Sequence, residues 1–221
     1  MFVLTMDQRG SQKGADRVPE LLALLSDVAA VLPFERSVGD EVQGVMSDAT
    51  TVVEVALRAL RTGQWYVGVG VGAVKQPLPA SPREASGPAF VAARSAVDRA
   101  KKTGERVPLS VRAGNSARSI GANRGDSLAS GRARRATADD AAAAESVLCL
   151  LGRLVRDRTD AEWRVLDLLQ PDTRGQQARV AARLGISPQA VSKAVFRSGW
   201  QEEQGARAAA ATLLELADGT L

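Results

Sequence analysis

The apolar residues of this chain switch between a period of two and a period near four several times, and each switch marks an element. Residues 2–6 form a short apolar run rich in strand formers, closed by Asp7. Gly10 and Gly14 break the segment that follows. From Pro19 the pattern turns helical, with Leu21, Leu22, Leu24, Leu25, Val28 and Leu32 on one face until Pro33. Residues 34–38 read as a strand, Gly39-Asp40 as a tight hairpin turn and 41–46 as the returning strand. Asp48 caps a helix carrying Val52, Val53, Ala56, Leu57 and Leu60, and Gly63 stops it. Residues 65–71 (WYVGVGV) form a strand with glycine at alternate positions, as where something approaches a sheet closely. The order strand, helix, strand, strand, helix, strand is that of a ferredoxin-like split βαβ arrangement. A Pro-containing loop over 75–88, a helix over 90–101 with Phe90, Ala93 and Val97 inward, and a strand over 107–111 complete an α+β domain of residues 1–112.

Strand signals stop there. Residues 113–136 are mostly Gly, Ser, Ala and Arg, the composition of a linker or irregular loop. Residues 137–221 read as all-α. Thr137 caps a helix with Asp139 and Asp140 in its first turn, where the helix dipole favours acids, and Val147, Leu148, Leu151, Leu154 and Val155 follow. Thr159-Asp160-Ala161-Glu162 is a capping box that opens a helix bearing Trp163, Leu166 and Leu169, ended by Pro171. A final helix after Trp200 carries Ala208, Ala211, Leu214 and Leu216. The apolar faces of this helix and of the 137–158 helix are candidate homodimer contacts. Ordinary packing within one chain is the alternative.

Between these helices, residues 177–200 (QARVAARLGISPQAVSKAVFRSGW) have the pattern of a helix-turn-helix. Val180, Ala181 and Leu184 recur at helical spacing, and Gly185 stands where the turn needs a left-handed residue. Ile186 is expected to plug the angle between the helices. Ser187 caps the second helix and Pro188 opens it, where a missing N–H costs nothing. Val191, Ala194 and Val195 give the buried face. Ser187, Gln189, Ala190, Ser192, Lys193 and Arg197 point outward: short polar groups, an amide able to read adenine, and two cations, which suits a major groove of double-stranded DNA. A hairpin used only for packing is the other reading.

Composition narrows the choices. The net charge is only +4, yet residues 106–135 hold seven arginines against the single acid Asp126. Arg132, Arg134 and Arg135 close that block, which is either a basic arm that follows DNA phosphates or a basic linker. One cysteine, Cys149, excludes an internal disulfide, and the absence of histidine removes Ser-His and Cys-His catalysis and the usual zinc sites. No apolar run reaches membrane length and the N-terminus lacks a signal-peptide pattern, so a cytoplasmic location with no membrane partner is expected.

In a split βαβ sheet, the end of the first strand and the hairpin between the second and third lie at one edge. Asp7 and Asp40 would face one another there. Paired carboxylates can hold Mg²⁺ on nucleotide phosphates; alternatively Asp40 only makes the turn and Asp7 only ends a strand. The phrases MDQRGSQ, VGDEVQGVM, YVGVGVGAV and SGPAFVAARSAVDRAKK resemble those of SatD-type bacterial proteins, relatives of class III nucleotidyl cyclases and GGDEF domains. The resemblance covers roughly residues 2–102 and resumes over 159–216, where those proteins carry a helix-turn-helix ending in a Gly-Trp pair, here Gly199-Trp200. It implies a cyclase-like domain with metal aspartates at Asp7 and Asp40 and a matching arginine at Arg94. A purine nucleotide or cyclic dinucleotide would lie near Asp7, Gly39, Asp40, Glu41, Gly68, Gly70 and Arg94. Phe90 stands where cyclases usually carry asparagine, and Gln8, Arg9 and Lys13 make the loop after Asp7 polar and basic. The expected protein is therefore a DNA-binding regulator with a degenerate sensor domain. The alternative is a Mg²⁺-dependent phosphoryl-transfer enzyme using Asp7 and Asp40.

Overall fold

The first apolar run becomes the middle strand of a mixed α/β fold. β1 (Phe2–Gln8) is buried on both faces, which is why it reads as a continuous apolar stretch. The computed structural model describes residues 1–12, 14–102, 107–114, 124–170, 173 and 175–220; the side chains at 124–130, 132 and 134 lie outside that description. Lys13 and Pro171 therefore fall outside the described residues, as do the side chains of Arg132 and Arg134.

Among the described residues there are five strands and eight helices. The strands β2 (Leu32–Arg36), β3 (Glu41–Met46), β4 (Trp65–Val71) and β5 (Leu109–Ala113) join β1 in the order β2-β3-β1-β4-β5. β1 runs antiparallel to β3 and β4, β2 antiparallel to β3, and β5 parallel to β4. β2 begins two residues before the expected start and carries Pro33. It tolerates the missing donor because it is an edge strand, and its register shifts between Leu32 and Glu35. α1 (Val18–Leu24) is much shorter than the helical pattern that reaches Leu32. Leu32 is claimed by β2, where it packs with Val3 and Val45.

α2 (Ala49–Arg61) is capped by Asp48 as expected, its carboxylate accepting from the Thr51 N–H at 2.6 Å. α3 (Pro88–Lys102) lies on the opposite face of the sheet. There Gly68 and Gly70 of β4 let its backbone descend: a Cβ on Gly70 would sit 2.0 Å from the Ala89 carbonyl oxygen, and one on Gly68 2.4 Å from the Val97 nitrogen. The partner that approaches these glycines is α3 rather than a nucleotide, which corrects their expected ligand role.

The largest departure lies in the C-terminal half. α4 (Arg124–Asp157) starts well before Thr137, so the basic stretch is helical backbone from Arg124 onward rather than linker through residue 136. Its residues Ala141, Ala144, Leu148, Leu151 and Val155 join the same core as Phe2, Leu4, Met6 and the buried face of α2. So do Ala210, Ala211, Leu214 and Ala217 of the last helix, α8 (Trp200–Asp218). The Met1 ammonium pairs with Asp218 at 2.5 Å and pins the end of α8 to the start of β1. Leu148, Leu151 and Val155 of α4 and Ala211 and Leu214 of α8, on the faces expected to make a homodimer, are thus buried within one chain. Ala208 and Leu216, expected inward, are exposed.

The chain accordingly builds one α/β body from both of its ends. Between α4 and α8 it inserts three short helices, α5 (Asp160–Leu166), α6 (Gln177–Leu184) and α7 (Pro188–Arg197), with a separate small core of Val165, Leu166, Val180, Ala181, Val191 and Val195. No described helix is long and apolar enough to cross a membrane.

Candidate nucleic-acid interface

The inserted module is shaped by local sequence chemistry. Thr159 and Glu162 form a reciprocal capping box at α5. The Gln176 amide closes the loop before α6, donating to the Gln170 and Thr173 carbonyls at 2.7 and 3.0 Å and accepting from the Gln170 N–H at 2.8 Å. Gly185 ends α6 with φ +65°, a left-handed residue at the turn. Ser187 caps α7, its hydroxyl oxygen accepting from the Ala190 N–H at 3.1 Å, and Pro188 occupies the first turn. Val191 and Val195 then close the small core. Ile186 does not plug the angle between the helices; it is 41% exposed, and Ala181 with Val191 fills that space.

Ser187, Gln189, Ala190, Ser192, Lys193 and Arg197 are all exposed, and Arg179 and Arg183 add two exposed cations from α6. From Thr173 to Trp200 the sequence holds five cations (Arg174, Arg179, Arg183, Lys193 and Arg197) and no acid, so the local field around this surface is positive although the whole chain is nearly balanced. Arg174 lies outside the described residues. Arg135 is exposed on α4. Sequence reasoning passed over Phe196, which is 82% exposed on α7. Its position seven residues after Gln189 was the available signal.

The module is fixed to the body by a polar joint that periodicity did not reveal. Arg158, where α4 ends, pairs with Glu203 of α8 at 2.5 Å, and both side chains are 2% exposed. Arg158 Nε donates to the Ser198 carbonyl at 2.9 Å, just after α7, and Arg207 reaches the other oxygen of Glu203 at 2.6 Å. Trp163 of α5 contacts two guanidinium groups, that of Arg61 of α2 at 3.7 Å and that of Arg158 at 4.9 Å from its ring centre. Arg61 also grips Asp167 through two bonds of 2.7 and 2.8 Å.

The sheet site has a different character. Asp7 stands opposite Glu41 in the β1–β3 register, next to Asp40 of the hairpin, so the topology does gather these acids at one edge. Gly39 makes the turn at φ +61°, and its carbonyl accepts from Arg36 at 2.6 Å. The half-buried Asp7 and the buried Glu41 each already hold a cation. Lys101 Nζ donates to Asp7 at 2.6 Å and Arg94 Nη2 to Glu41 at 3.0 Å. Burial pushes both carboxyls above their ordinary range, and the α3 cations oppose that rise. Lys101 was missed by sequence, although it lies seven residues after Arg94 on the same helix. Thr5 and Gln43 join beneath this cluster through a 3.1 Å bond. The donor set does not fit Mg²⁺: Asp7 is committed to an ammonium group, and no group of three metal-ligating side chains exists among the described residues. The expected metal role of Asp7 and Asp40 therefore finds no third ligand beside them among the described residues. Compared with protein-family models, curated proteins and solved structures, the chain matches none.

Proposed function

We propose that this protein is a DNA-binding regulator whose α5–α7 module is a helix-turn-helix, with α7 as the recognition helix lying in the major groove of double-stranded DNA. The observation that carries this reading is the α7 surface itself. A left-handed glycine turn and a capped second helix present Gln189, Ser192, Lys193 and Arg197 to solvent, in a segment with five cations and no acid. Groove readers need short polar groups for base edges and cations for phosphates, without carboxylates that repel the backbone. Arg132, Arg134 and Arg135 of α4 would extend the contact along phosphates.

In this reading the strand order β4-β1-β3-β2 is a ferredoxin-like sheet of the SatD type, and the α/β body orients the module. A phosphoryl-transfer enzyme draws less support from the α3 face, because Lys101 already pairs with Asp7, one of the two acids that would carry metal. The test is titration of the purified full chain with random-sequence duplex DNA at several salt concentrations. Binding that weakens linearly in log–log form, by roughly 0.9 per phosphate contact, is the expected result. No binding at low salt would overturn the reading.

A further inference from the structure

Solvent-exposed apolar side chains occur singly on most proteins, and here Val38, Val91 and Leu150 are each at least 70% exposed without further meaning. Phe196 differs in where it stands. On an α-helix, positions i, i+3, i+4 and i+7 share one face. Gln189, Ser192, Lys193 and Phe196 have this spacing, opposite the buried Val191 and Val195. The phenyl group therefore sits on the outward ridge of α7, beside Arg197 and one turn from Lys193. It adds nothing to the module's core. A protein partner would need carboxylates to match the cations around it, whereas the acid-free surface favours a polyanion.

We infer that Phe196 is a specificity-determining residue that contacts the 5-methyl group of a thymine in the major groove, so that the preferred duplex carries thymine at a fixed distance from the base pair read by Gln189. This rests on the DNA-binding reading above. Thymine alone among the bases offers an apolar group in that groove, and an aromatic side chain is one of its natural contacts, as an amide is for adenine.

The experiment starts from duplexes selected out of a random pool by the full chain. Thymines in the selected sequence are replaced one at a time by deoxyuracil, which removes only the methyl group. The wild-type chain should lose about four-fold in affinity at one thymine, the factor expected for one buried methyl-sized group. Phe196→Ala should bind both versions equally at that thymine and keep the other base preferences, and Phe196→Leu should retain part of the discrimination. An unchanged thermal midpoint shows that the variants remain folded, as 82% exposure predicts. The inference is overturned if no single deoxyuracil weakens the wild-type chain, although it prefers its selected duplex. Equal methyl discrimination by Phe196→Ala overturns it too, as does an affinity loss in Phe196→Ala with no deoxyuracil effect, which would make the ring a wedge between base steps. If the wild-type chain selects no duplex at all, the DNA-binding reading fails with it.

Discussion

Glu203→Ala is the substitution that most severely tests how the module is held. The Glu203 carboxylate is 2% exposed and bridges Arg158, itself 2% exposed, and Arg207, which is 33% exposed. Removing it leaves the Arg158 guanidinium in the interior with one backbone acceptor, the Ser198 carbonyl. Stranding one member of a buried pair in this way typically costs about 3–5 kcal/mol. Arg158→Ala should cost less, because Glu203 keeps Arg207 and the smaller side chain leaves no buried cation. Replacing the pair together, Arg158→Met with Glu203→Leu, removes both buried charges and should be less destabilising than Glu203→Ala alone. Urea unfolding of the full chain, followed by tryptophan fluorescence, measures all three, since Trp163 sits in the joint. A Glu203→Ala chain within about 0.5 kcal/mol of wild type, the range of ordinary surface substitutions, would refute the buried joint.

Three further outcomes are expected. Lys101→Ala frees the Asp7 carboxylate in a half-buried site and raises its pKa further above the unfolded value. The stability of such a group is present below the ordinary carboxylate range and is lost as pH rises through the folded pKa. The variant should therefore lose more at about pH 8 than at about pH 4, by roughly 1 kcal/mol given the partial exposure of Lys101, and equal losses in urea titrations would contradict this. Gly70→Ala drives a Cβ into the α3 backbone and should cost about 3 kcal/mol; an unchanged thermal midpoint would mean that α3 does not pack there. Replacing Arg132, Arg134 and Arg135 by Ala should weaken binding to all duplexes alike and flatten the salt slope by roughly 0.9 per lost phosphate contact, whereas an unchanged slope would make the stretch a plain helix.

Much of the local structure was legible because single residues dictate it. Gly185 needs a left-handed turn, Thr159 with Glu162 needs a capping box, and Gly39-Asp40 needs a hairpin; each appears where its chemistry required. What periodicity could not say is which face meets which partner. The apolar stripes of α4 and α8 have the same spacing whether they pair with a second copy or with β1 and α2, and they pair with the latter. The alternate glycines of β4 signalled close approach correctly, but the approaching group is a helix backbone. Arg158 and Glu203 are 45 residues apart and carry no pattern at all. At the sheet edge, sequence brought the acids together and missed the cation of α3 that neutralises Asp7.

The central claim is that α7 reads base sequence. Its most direct test is selection from a random duplex pool by the full wild-type chain and, in parallel, by the Gln189→Ala, Lys193→Ala double variant. Both altered side chains are exposed, so the fold should be unaffected. The wild-type chain should enrich a common sequence motif. The double variant should still bind duplex DNA through its remaining cations but enrich no motif, since a lost base contact costs about 1–3 kcal/mol of discrimination. Enrichment of the same motif by both chains, or of none by the wild type, would contradict the account.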